Sequence, residues 1–97
     1  MTKEKYINEQ AKVLLKLSKK IAKIHEQTAD YTQLSQKRLG NLTANLNWAC
    51  MEYQQTEERI GYAIGFLKIE DLRDFYEPSS FHKYKGIKEE MENLKFD

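Results

Sequence analysis

Two apolar seams run along this chain, and both have the spacing of a helix lying against another helix. In the second, Leu39, Leu42, Leu46, Ala49, Tyr53, Thr56, Ile60, Ala63 and Leu67 alternate steps of three and four throughout. Such steps return a side chain to the same helix face every seven residues, whereas a half-buried strand would alternate every two. Small Ala49, Thr56 and Ala63 alternate with larger Leu46, Tyr53 and Ile60, so a partner helix can approach one edge of the seam closely. The first seam passes through Ile7, Ala11, Leu14, Leu17, Ile21, Ile24, Thr28 and Tyr31, and is regular from Leu14 onward. Lys12, Lys16, Lys19 and Lys23 repeat at the same spacing on another face, which makes this helix amphipathic.

These seams predict helix one over residues 3–38 and helix two over residues 42–76. Thr2 is placed to cap the first N-terminus. Gly40 is read as the left-handed residue that ends helix one, with Asn41 or Thr43 capping the next. The result is an antiparallel hairpin. The rival reading is one continuous helix that absorbs a stutter through Tyr31, Ser35, Leu39 and Leu42. A glycine inside it would cost only about 1 kcal/mol relative to alanine.

From Ile60 to Tyr76 the apolar residues cover most of a helix circumference, so more than one neighbour is needed to shield them. Gly61 and Gly65, four apart, would let a second backbone approach. Glu77-Pro78-Ser79-Ser80 is the clearest break, because proline disfavours helix in the residue before it. Phe81, Tyr84, Ile87, Met91 and Leu94 then outline a short third helix over residues 80–95, expected to fold back over the apolar end of helix two.

Ninety-seven residues allow one domain, and chains this short often gain stability by oligomerising. The net charge of +1 hides an uneven spread. Residues 1–25 hold seven lysines against Glu4 and Glu9, residues 26–76 hold eight acids against five bases, and residues 77–97 hold five acids against four bases. Cys50 is the only cysteine, so no intrachain disulfide forms, in keeping with a reducing, cytoplasmic setting. Charged residues interrupt the N-terminus before any signal-like apolar run, and the stretch Ile60–Leu67 is too short to span a bilayer.

Candidate chemistry is sparse. His25 and His82 lack the acidic or histidine neighbours of a helical metal site, and with Cys50 they do not make a zinc set. His25 is read as a boundary or core residue of the first seam, His82 as solvated and Cys50 as a small hydrophobe beside Ala49. Glu57, Glu58, Glu70, Asp71 and Asp74 are expected on solvated helix faces, paired with Arg59, Lys68 and Arg73. No phosphate loop, nucleophile elbow or Cys–His signature is present. The Trp48-Ala49-Cys50 triplet is similar to the turn of small secreted helical hairpins but lacks their Trp-x-Gly glycine.

The sequence therefore predicts an all-α fold: a long antiparallel hairpin plus a short C-terminal helix, associating as a dimeric helical bundle. It predicts a non-enzymatic interaction protein without cofactor or metal. Regulators, inhibitors and assembly factors of phages and mobile elements are of this kind. Trp48, Tyr62, Phe66, Ile69, Leu72, Phe75 and Tyr76 are the expected contact residues, with a second copy or a helical protein as partner. Lys12, Lys16, Lys19 and Lys23 would steer an acidic partner. The alternative use of that lysine stripe is binding to nucleic acid or an anionic membrane.

Overall fold

The computed structural model describes residues 1–76 and 83–97. It is mostly helical. Helix α1 covers Lys3–Gln27, helix α2 covers Gln36–Ala63 and helix α3 covers Ile87–Glu92. Two 3-10 turns, Tyr31–Gln33 and Ile69–Asp71, and two short antiparallel strands, β1 (Phe75–Tyr76) and β2 (Lys83–Lys85), join them.

The hairpin is present, but its boundaries differ from those read in the sequence. Thr2 caps α1 as expected, its hydroxyl accepting from the Lys5 amide at 3.1 Å. The helix then ends at Gln27 rather than residue 38. Thr28 turns its hydroxyl back onto the carbonyls of Ile24 and His25, taking acceptors the next turn would use. Ser35 starts α2 by accepting from the Arg38 amide at 3.1 Å. The break at residues 28–35 also rules out one continuous helix.

Gly40 consequently lies inside α2 and ends nothing, while the stop comes earlier than residue 76, at Gly65. There φ is +83°, a conformation that costs a residue with a Cβ about 1–2 kcal/mol. The Phe66 amide donates to the Gly61 carbonyl at 2.8 Å and the Gly65 amide to Tyr62 at 3.1 Å. That pair of bonds is the Schellman closure of a helix C-terminus. Gly61 serves the chain's own turn and not a foreign backbone: a Cβ there would sit 2.7 Å from Leu67 Cδ1.

After the turn the chain doubles back beside α2. Asp71 ties the second 3-10 turn by accepting from the Lys68 amide at 2.9 Å, and Asp74 accepts from the Lys88 amide at 3.3 Å. Tyr84, expected in the third helix, lies in β2, and α3 begins only after Gly86. The expectations for Glu77, Pro78, Ser79, Ser80, Phe81 and His82 fall outside the described residues.

The core lies where this return segment meets the hairpin. Tyr6, Ala63, Leu72, Ile87 and Met91 are buried together, with Ile7, Tyr62, Leu67, Ile69, Leu94 and Phe96 packed around them. Arg59 of α2 grips Glu90 of α3 through two bonds, of 2.6 and 3.2 Å. Tyr6 meets Phe96 with ring centroids 5.5 Å apart. Burial pushes the Tyr6 phenol up to about 12; nearby Glu90 adds to the rise and Arg59 opposes it. No described helix is long and apolar enough to cross a membrane.

Candidate interaction surface

The two seams are buried on one edge and open on the other. In α2, Leu42, Ala49, Thr56 and Ala63 are buried, whereas Leu39, Leu46, Tyr53 and Ile60 are only half-buried. The small residues bring α1 close and the large ones lie beside the contact. In α1, Leu17 and Ile24 are buried while Ile7, Leu14 and Ile21 are half-buried. Leu14, Tyr53 and Ile60 line one groove, so part of each half-covered row faces the same side of the hairpin, while Ile7 packs against the core. The seven-residue repeat carries the same side onward to Ile21 and Leu46.

The groove holds about 890 Å3 of open space. At one end the turn after α2 contributes Ile64, Phe66 and Leu67. Ile64 is 59% exposed and Phe66 is 80% exposed. Across the groove, exposed Ala11, Leu15 and Ser18 extend the apolar and small surface of α1 outward, and Leu15 is 58% exposed. Ala11, expected within the seam, thus lies at the groove's edge.

The polar groups are concentrated on the α2 wall. Glu58 is buried and accepts from both the Arg73 backbone amide and Arg73 Nε, each at 3.3 Å. The Gln54 amide oxygen faces the same guanidinium. This corrects the solvated role expected of Glu58: with the return segment over it, the carboxylate needs its partner to be tolerated in a buried place. Glu58 and Arg73 offset one another, which leaves Glu57 and Asp71 as an acidic margin to the groove. Cys50, read as a small hydrophobe beside Ala49, also lines it and is exposed. His25 is exposed on α1, not in the core or at its boundary as read from the sequence. Among the described residues no group of three His, Cys, Asp or Glu side chains is arranged to hold a metal ion.

Of the contact residues read from the sequence whose side chains are described, only Phe66 lines the groove. Leu72 is 2% exposed and belongs to the core, so it has no surface to offer. Tyr62 and Ile69 pack half-buried against that core. Trp48 is exposed on α2 outside the groove lining, and Phe75 and Tyr76 supply the backbone of β1. Lys12, Lys16, Lys19 and Lys23 are all exposed on α1. The groove residues that were missed, Leu14, Tyr53 and Ile60, had a signal: each seam carries two apolar rows, and one neighbouring helix covers one of them.

Neither a protein-family model, nor a curated protein, nor a solved structure matches this chain.

Proposed function

We propose that the protein is a non-enzymatic interaction module that works by taking a helix into its open groove. It acts as a regulator, inhibitor or assembly factor does, by occupying another polypeptide's surface. The observation that carries this reading is the half-covered double row of Leu14, Ile21, Leu46, Tyr53 and Ile60 leading to exposed Ile64 and Phe66. Apolar surface of this continuity is costly to leave in water, at about 25 cal/mol per Å2. Its edge-to-edge heptad spacing is complementary to a helix rather than to a small solute. The homodimer and the helical protein partner expected from the sequence are two ways of filling the same groove. Exposed lysines on α1 suit the steering of an acidic surface towards it.

Photo-crosslinking in the native host tests this. A crosslinking amino acid at Tyr53 or Phe66 is expected to capture a polypeptide, and one at exposed Asn41, away from the groove, is not. Equal yields from groove and control positions would end the interaction reading.

A further inference from the structure

We propose that the groove's occupant is a second copy of this chain, the two hairpins packing open side to open side as a four-helix bundle. This rests on the groove reading above and goes further by fixing what fills it.

Area is the first argument. A compact protein of 11.5 kDa exposes about 5,800 Å2. This chain exposes 7095 Å2, about 1,300 Å2 more than that expectation. A stable two-chain interface removes roughly 800 Å2 from each partner. The excess is therefore large enough to supply one interface. The shape agrees: the radius of gyration is 16.0 Å, against about 12.5 Å for a compact chain of this length. The molecule is a slab, 19 Å in its shortest dimension, and a second layer would thicken it.

Charge is the second argument, and it chooses the arrangement. With the two-fold axis parallel to the hairpin, α1 of each copy lies over α2 of the other. The apolar and small residues Ala11, Leu14, Leu15 and Ser18 then meet Tyr53, Ile60 and Ile64. Lys12 and Lys19 sit three residues before and four after Leu15, so they share its edge of α1. The wall they approach carries Glu57 of α2 and Asp71 of the second 3-10 turn. The basic edge of one copy thus faces the acidic margin of the other, and symmetry repeats the match. Helices of similar length, 25 and 28 residues, with the same seven-residue repeat allow the rows to interlock along the hairpin.

Sedimentation of the full chain over a wide concentration range is the test. The wild type is expected to run at twice 11.5 kDa. Leu15→Glu with Ile64→Glu changes only exposed side chains of the single chain, and is expected to give a monomer of unchanged helicity. Lys12→Glu with Lys19→Glu should weaken the dimer at least tenfold, and adding Glu57→Lys should recover part of that loss. A wild-type monomer at every concentration overturns the proposal, as does a dimer indifferent to both sets of changes. The crosslinking of the preceding section separates the two levels. Adducts of twice the chain mass support the second copy, whereas groove-specific adducts of another mass overturn it and leave the interaction reading standing.

Discussion

Replacing Gly40 and Gly65 by alanine, one at a time, should move stability in opposite directions. Gly40 is inside α2, and a Cβ built there has nothing within 4 Å. Alanine gains helix propensity at no steric cost, so Gly40→Ala is expected to stabilise by about 1 kcal/mol. Gly65 lies just beyond α2 with φ at +83°, and a Cβ there also meets no neighbour within 4 Å. Its cost is purely conformational, so Gly65→Ala should destabilise by about 1–2 kcal/mol. The two variants should differ by about 2–3 kcal/mol, which for a domain of this size separates their melting temperatures by about 10 °C or more. Urea and thermal unfolding followed by far-UV circular dichroism measure this. All samples need one protein concentration, because any association would shift the midpoint. If Gly40→Ala destabilised and Gly65→Ala were neutral, helix one would end at Gly40 and the boundaries given above would be wrong.

Three further expectations follow from burial. Leu72→Ala should cost about 2–5 kcal/mol, because it opens a cavity beside Ile87 and Met91, whereas Phe66→Ala should change the stability of the single chain by less than about 0.5 kcal/mol; denaturant titrations that ranked them the other way would exchange core and surface. Gln55 is 0% exposed and neither polar atom of its side chain has a hydrogen-bond partner among the described residues, so Gln55→Met should raise stability by about 1 kcal/mol or more; a loss in the same titration would mean that the amide is satisfied. Tyr6 should be the phenol that ionises only near pH 12. Its raised value makes stability fall as pH climbs from 10 towards 12, and Tyr6→Phe should remove that step from the alkaline ultraviolet titration.

The parts of the fold that repeat were legible in the sequence. Both seams, the hairpin they form and the cap at Thr2 follow from local spacing and local hydrogen bonding, which a single chain displays openly. The ends were not, because a glycine's role depends on its φ. Gly40 and Gly65 both interrupt apolar helical runs, and only one adopts the left-handed turn. The stretch after Ala63 misled for a related reason. Ile64, Phe66, Leu67, Ile69 and Leu72 surround an imagined helix, yet in the fold they belong to a turn, a 3-10 segment and an extended return. Composition is the same in both cases, but period and direction are not. Half of the surface was visible for the same reason the seams were: each seam carries two apolar rows, and a single neighbouring helix covers only one. Which row would stay open depended on where the return segment settled, and that contact is long-range.

The meeting of Tyr6 with Met91 and Phe96 constrains the order of assembly. The two long helices can close on each other as soon as both have formed. The cluster around Ile87 cannot, because Tyr6 and Met91 are 85 residues apart in sequence. However early the hairpin closes, Tyr6 and Leu72 therefore stay wet until α3 docks against them.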